Sequence, residues 1–363
     1  MKQVGFVVSV MSSRPTMASA KDSHKRVLVT GATGFVGSSL CSTLLQHGYK
    51  VHVLRRSMRG AEELDALNVV SHIGDVTDLD SVRAALSDGE GEWKAVFHGA
   101  GVVAYSSKMS DLMHSVNVDG TRNVITAIQE NPSKPRLVHV SSIVSVGYNN
   151  SENQPPLNED SPWDEAKAGK VSYLRTKHAG ERLVMQTVAQ RTLDAVVVCP
   201  SNVVGASDAK KGSRKNQIQA AQGALKFYTH GGINIIGIRQ CCDAMVKAME
   251  VGRLGHRYIL GGENMLIHDM LSEYSRAAGT SPPSICLPNW VVFLACFIGE
   301  VLLDSKSMTL ERAEVITKYH YFDSSKAVRE LGLDTSGARD AIRESVNWMI
   351  EHNYVHARKL KES

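Results

Sequence analysis

Through the first half of this 363-residue chain, short apolar runs alternate with longer stretches whose apolar positions recur at helical spacing. The runs Arg26–Thr30, Lys50–Leu54, Val69–Ile73, Ala95–His98, Leu137–Val140 and Ala195–Cys199 have the length of strands. Between them, Val36, Leu40 and Leu44 share one face of a first helix, and Val116, Val124 and Ile128 one face of a later one. That alternation predicts βαβ units and an α/β fold with a doubly wound parallel sheet. After Pro200 the pattern changes. Ser207 to Asn216 is polar and Lys-rich, and the chain beyond Asn216 mixes short strands with helices under Gly and Pro punctuation. The expected division is a flexible leader at 1–24, a first domain at 25–205, a smaller mixed α/β region at 206–355 and a tail at 356–363. Part of the second region can return to the first sheet. Near the end, Ile342, Val346, Met349 and Ile350 form an apolar stripe for a docked helix.

Composition adds exclusions. Hydrophobic residues at 43% and charged residues at 21% describe an ordinary folded chain. A formal charge of +4, with Lys and Arg dispersed, argues against nucleic acid and suits small anionic ligands. The six cysteines (Cys41, Cys199, Cys241, Cys242, Cys286, Cys296) show no CxxC pair and no His/Cys ligand spacing. They read as reduced thiols of a reducing compartment, with no metal site. The leader has a short apolar piece, Gly5 to Met11, and basic Lys2, Arg14 and Lys21 with no acid before Asp22. It weakly resembles a mitochondrial presequence, but a disordered tail or a start at Met17 accounts for it as well, so a cytoplasmic location is placed first. Trp290 to Leu303 is apolar apart from Glu300 and too short to span a bilayer, so a buried helix and no transmembrane segment are expected.

Directly after the first strand comes Thr30-Gly31-Ala32-Thr33-Gly34-Phe35-Val36-Gly37, with a helix starting inside it. A phosphate pair needs backbone N–H groups approached without side-chain obstruction, and gains from the positive end of a helix. Gly31, Gly34 and Gly37 supply the turn, the close approach and the tight helix–strand contact. The loop is therefore a candidate dinucleotide site. The second strand ends in Leu54-Arg55-Arg56, where a carboxylate for ribose hydroxyls would stand in an NAD site. Guanidinium groups pair with a 2′-phosphate instead, which favours NADP(H) over NAD(H). The competing reading makes these arginines solvated ends of an edge strand. Asp75, in Gly74-Asp75-Val76, is placed to accept from an adenine amino group or to cap the next helix.

Tyr173 and Lys177 stand four apart on a helical stretch and so share a face. An ammonium near a phenol favours the phenolate and lowers its pKa from about 10 toward the working range. Ser141-Ser142 ends the run Leu137–Val140, where a hydroxyl can hold a substrate oxygen against the tyrosine or merely cap a turn. Asn117 can organise a water or the lysine from a neighbouring helix.

These motifs, with His98-Gly99-Ala100-Gly101, Asn117-Val118-Asp119-Gly120-Thr121 and Pro200-Ser201-Asn202-Val203-Val204-Gly205, stand in the order of the extended short-chain dehydrogenase/reductase family. The resemblance runs from about Val27 to Leu333 and is greatest to the dihydroflavonol-4-reductase-like and 3β-hydroxysteroid-dehydrogenase-like branch. It implies a Rossmann sheet, with Ser142, Tyr173 and Lys177 as the catalytic trio and Asn117 assisting. It also implies that the loop residues Gly31, Thr33, Gly34, Phe35, Val36 and Gly37 bind the cofactor. Asp75, Val76, His98, Ala100 and Gly101 line its floor, Lys177 bonds the nicotinamide ribose, and Pro200, Asn202 and Val203 flank the nicotinamide. Cys199 stands where many relatives carry Arg, which argues away from nucleotide sugars, and Ile143 to Gly147 lacks the carboxylates of a dehydratase. The expected function is an NAD(P)-dependent carbonyl reductase or alcohol dehydrogenase acting on a small or lipophilic molecule. The alternatives are a nucleotide-sugar epimerase and a non-catalytic NADP(H)-binding sensor. A homodimer is the default assembly.

Overall fold

A computed structural model describes residues 25–59, 62–87, 92–208, 214–305 and 307–356. The leader, most of the tail and part of the Lys-rich stretch lie outside the described residues. The β-branched runs form β1 (Arg26–Thr30), β2 (Lys50–Arg55), β3 (Val70–Ile73), β4 (Trp93–His98), β5 (Arg136–Val140) and β6 (Ala195–Pro200). All six expected strands are present within a residue or two of their expected limits.

The strands lie in the order β3-β2-β1-β4-β5-β6, every pairing parallel. The chain moves outward from β1 to β3, then returns to β4 on the other side. That reversal opens a crevice beyond the carboxyl ends of β1 and β4, the place where doubly wound sheets bind ligands. Beyond β6 a seventh strand, β10 (Arg257–Leu260), arrives from the second half of the chain. It follows β7 (Asn202–Val204), β8 (Phe227–Thr229) and β9 (Gly232–Gly237).

Both faces of the sheet are covered, which is why its strands read as unbroken apolar runs. One face packs against helix α1 (Phe35–Gln46), whose Leu40 and Leu44 are buried, and against α5 (Ile238–Val251). The other face packs against α2 (Leu79–Ser87), α3 (Gly120–Glu130) and α4 (Ser172–Ala189). A smaller sheet, ordered β11-β9-β7 with β11 at Glu263–Leu266, shares a core with helices α6 (Ile267–Ala277) and α9 (Ala338–Glu351). Ile342, Val346 and Met349 of the expected stripe are buried there, while Ile350 is half-buried.

One expectation is corrected. The Trp290–Leu303 stretch forms α7 (Asn289–Phe297) and a continuing wide turn to Leu302, but only one side of it docks. Val292, Cys296 and Gly299 face inward, whereas Trp290 is 69% exposed and Leu302 and Leu303 are each 70% exposed. A helix apolar all round signals burial only when neighbours cover every side. Among the described residues no helix is long and apolar enough to cross a membrane.

Candidate active site

The glycine loop forms a cradle whose shape excludes side chains. Gly31 has φ +75°, and a Cβ there would come within 2.6 Å of the Gly99 and Ala100 backbone. A Cβ at Gly37 would lie 2.2 Å from the Gly31 carbonyl oxygen. Gly34 is different: its Cβ would meet little beyond that carbonyl at 3.3 Å, and the residue is exposed beside Thr33. Gly34 is also the N-cap of α1, with no side-chain capping bond and no acid in the first turn. The first N–H groups of a twelve-residue helix are thus left for an anion. Phe35 is buried and Val36 half-buried, so these two anchor the turn from below. The geometry fits a dinucleotide pyrophosphate.

At the end of β2, the edge-strand reading of the arginines fails for Arg55, because β3 lies outside β2. The Arg55 side chain is fully buried and its Nη1 meets Asp65 Oδ1 at 2.6 Å. Its Nε and Nη2 are buried with no hydrogen-bond partner among the described residues, whereas Arg56 is exposed. Asp75 accepts from the Thr77 amide and hydroxyl, each at 2.9 Å, so it shapes the turn before α2, while Val76 packs beneath Gly120.

The row Thr30, His98 and His139 runs across adjacent strand ends. His98 lies 2.8 Å from Thr30 Oγ1 and 3.1 Å from Thr121 Oγ1, tying the floor loop to β1 and α3. Burial, with Lys177 adding to it, pushes the His98 imidazole down to about 3, so it is a neutral strut. Thr30 Oγ1 also accepts from the Ala100 amide, and a Cβ on Gly101 would approach Asn117 Oδ1 at 3.2 Å. On the far side, Pro200 ends β6, Asn202 and the Val203 carbonyl accept from Arg214, and the turn at Gly205 comes within reach of Phe35.

At the carboxyl end of β5, Ser142 turns out of the sheet and its Oγ accepts from the Val144 amide at 3.4 Å. Its hydroxyl also stands on the side of the Tyr173 phenol and pulls the phenol's pKa down. Capping and contact with the tyrosine therefore coexist in one residue. Lys177, one turn below Tyr173, donates to the Val140 carbonyl at 2.8 Å. Burial pushes its ammonium down to about 8, opposed by Cys199 and Glu181. Tyr173 does not carry the lowered pKa that the spacing suggests. Burial pushes the phenol above its usual range, Tyr105 adds to this, and the Ser142 bond pulls the other way. Desolvation and Tyr105 together outweigh the pull of Ser142.

Asn117 sits in a wide helical turn, Ser115–Asp119, and both ends of its amide bond Val102, at 2.8 and 3.0 Å, while Nδ2 also reaches Thr176. It pins the floor loop to α4; the bonds it makes are to these partners and not to Lys177.

Other site residues carry no motif. Tyr105 lies edge-on against Tyr173, ring centroids 5.6 Å apart, and is itself pushed up to about 12 by burial. Helix α8 (Leu310–Ile316) and the residue before it roof this pair. Thr309 donates to the Tyr105 carbonyl, Glu311 accepts from Ser172, Glu314 accepts from Tyr148, and Lys108 pairs with Asp304. Only long-range contact reveals them. Behind the serine turn, Glu181 collects Ser141, Ser145 and Arg257, and its spacing four residues beyond Lys177 was a readable signal.

Residues 27–261 match the model of the NAD dependent epimerase/dehydratase family. Since that is more than half of the chain, the chain belongs to this family, whose members include reductases, epimerases and dehydratases. It is 29% identical to a protein of Synechocystis named putative dihydroflavonol 4-reductase, over 90% of this chain and 95% of that one. The crystal structure of gox2253 superposes with a TM-score of 0.79 at 29% identity, covering 91% and 99% of the two chains. The Thermus thermophilus UDP-glucose 4-epimerase complex with NAD gives 0.70 at 22% identity over 89% and 98%, which shows a shared fold. The expected extended short-chain dehydrogenase/reductase membership and its dihydroflavonol-reductase-like branch hold.

Proposed function

We propose that this member of the NAD dependent epimerase/dehydratase family is an NADP(H)-dependent carbonyl reductase or alcohol dehydrogenase, with Tyr173 moving the proton. The observation that carries the reading is the convergence of Ser142, Tyr173 and Lys177 at the end of β5. A Cβ on Gly99 would touch Val140 at 3.8 Å, so this corner adjoins the floor of the glycine cradle.

When bound, the nicotinamide supplies or accepts the hydride. Tyr173 gives a proton to the substrate oxygen in reduction, or removes it in oxidation, and Ser142 polarises that oxygen. Lys177 sits where its ammonium can leave Val140 for a ribose hydroxyl and offset the burial that holds the phenol neutral. The exposed Arg56 at the end of β2, with the buried Arg55 cation behind it, supports a 2′-phosphate and hence NADP(H). Residues after Gly205, apart from α5, β10 and the stretch 325–333 that packs with them, would form the substrate side. The roof over Tyr173 brings Tyr105, Val144 and Val315 around the phenol, which suits a lipophilic ketone such as the one named in the dihydroflavonol-reductase relative. Cysteines with no CxxC pair and no ligand spacing suit a cytoplasmic setting.

The test is NADPH and NADH oxidation with a panel of aryl and cyclic ketones, run beside UDP-glucose. Net NADPH consumption with a ketone, abolished by Tyr173→Phe, is the expected result. Interconversion of the nucleotide sugar without net cofactor turnover, or unchanged ketone reduction by Tyr173→Phe, overturns the reading.

A further inference from the structure

Tyr173, Lys177 and Glu181 follow one another at intervals of four along α4, so all three lie on one stripe of the helix. All three are buried, and Glu181 is 4% exposed. A buried carboxylate costs several kcal/mol of desolvation before any partner is counted, and an apolar residue there would pack without that cost. Its contacts show what the charge does. Glu181 Oε2 lies 2.7 Å from Ser141 Oγ and 2.5 Å from Ser145 Oγ, with the Cys199 thiol at 3.7 Å. Oε1 meets Arg257 Nη1 at 3.1 Å. Arg257 stands on the edge strand β10 and is itself fixed, through its other donors, on the Glu159 and Ser161 carbonyls. The ion pair is thus anchored at both ends.

Ser141 and Ser145 bracket Ser142. Ser145 Oγ also lies 2.6 Å from the Ser142 carbonyl oxygen, and the Ser141 amide donates to Val198 on β6. Each hydroxyl has a single proton: Ser141 gives its own to the carboxylate, which can accept two donors on one oxygen, while Ser145 shares its proton between the carboxylate and the Ser142 carbonyl. A glutamine carbonyl oxygen could still accept from both serines, but its NH2 would then face the Arg257 guanidinium donor to donor, so the anchor that holds the grip in place would be lost.

We infer that Glu181, held by Arg257, is a positioning residue that clamps the Ser141–Ser145 turn from behind and so fixes where the Ser142 hydroxyl meets Tyr173. Glu181 touches neither substrate nor cofactor and acts through the serine turn. The inference rests on the oxidoreductase reading above, in which Ser142 and Tyr173 share the substrate oxygen.

The experiment compares wild type with Glu181→Gln, Glu181→Asp, Ser145→Ala and Tyr173→Phe, using NADPH with flavanone, chromanone and cyclohexanone as probes. Glu181→Gln is expected to lower kcat about 10- to 100-fold, as small misplacements of reacting groups do, with KM and the NADP⁺ Kd within about 3-fold of wild type. Glu181→Asp restores part of the loss, and Ser145→Ala, a smaller change should the glutamine variant fail to fold, loses kcat in the same selective way. A merely structural carboxylate would lower melting temperature and cofactor affinity together without that split. If Tyr173→Phe abolishes turnover while folded Glu181→Gln or Ser145→Ala keeps wild-type kcat, the clamp is wrong and the oxidoreductase reading stands. If wild type reduces no ketone, or Tyr173→Phe keeps full turnover, that reading fails and the inference falls with it.

Discussion

His139 offers a measurement of how burial governs this site. It sits on β5 beside His98, ring centroids 5.6 Å apart, and both its ring nitrogens are buried without a hydrogen-bond partner among the described residues. Burial, with Lys177 and His98 adding to it, holds its pKa far below the ordinary histidine range, and His98 is held down to about 3. The sign comes from proton binding. The unfolded chain takes up protons at both histidines near pH 6.5, the folded chain takes up almost none until far lower, so stability is complete above about 6.5 and is lost as the pH falls. At about pH 5 each histidine contributes a loss of about 2 kcal/mol. For a chain of this size that is a fall in melting temperature of about 3 °C per histidine. His139→Leu replaces the ring with an apolar group of similar volume and breaks no hydrogen bond, so it is expected to stabilise the protein by about 1–3 kcal/mol at pH 8. It should also remove about 3 °C of the drop between pH 8 and pH 5. Calorimetry or far-UV melting at the two pH values reads both effects. Equal pH dependence in wild type and His139→Leu would refute the argument, because the charged form would then be no worse off inside the fold than outside.

Three further outcomes bear on the cradle and the frame. Gly34→Ala should melt within about 1 kcal/mol of wild type yet weaken NADPH binding at least about 10-fold, measured by NADPH fluorescence, whereas Gly37→Ala, with its Cβ 2.2 Å from a backbone oxygen, should lose stability and binding together. Arg55→Ala combined with Arg56→Ala should raise the Kd of NADP⁺ about 10- to 100-fold and that of NAD⁺ less than about 3-fold; parallel changes would remove the 2′-phosphate assignment. Leu302→Glu on the exposed face should leave denaturant stability within about 0.5 kcal/mol, while Ile342→Ala in the α9 core should cost about 2–5 kcal/mol.

Much of this architecture is legible in the sequence. The inner strands of the first sheet announce themselves because they are covered on both faces and so are largely apolar, while the edge strand β3, half-buried with Ile73 exposed, is marked more by its β-branched ends. The glycine loop is legible because Gly31 and Gly37 answer local demands, a left-handed backbone and a contact at van der Waals distance. Ser142, Tyr173 and Lys177 are readable as strand-end and helix-face positions. Tyr105, Thr309 and Glu314 are not, since their importance lies in partners up to some two hundred residues away. The apolar helix from Asn289 misleads for the same reason: composition records that a surface is oily, not whether another surface lies on it.

Periodicity and local backbone chemistry, which act over a few residues, were enough to determine the strand–helix alternation, the glycine turn and the tyrosine–lysine face. The dielectric around each group belongs to the tertiary structure, because it depends on everything packed nearby. Only the folded chain decided that the phenol is pushed up by burial, that the lysine is lowered and bonded to Val140, and that Arg55 is interior. It also placed Glu181 and Arg257 behind the serines as a pair, since the strand that carries Arg257 joins the sheet from the far half of the sequence.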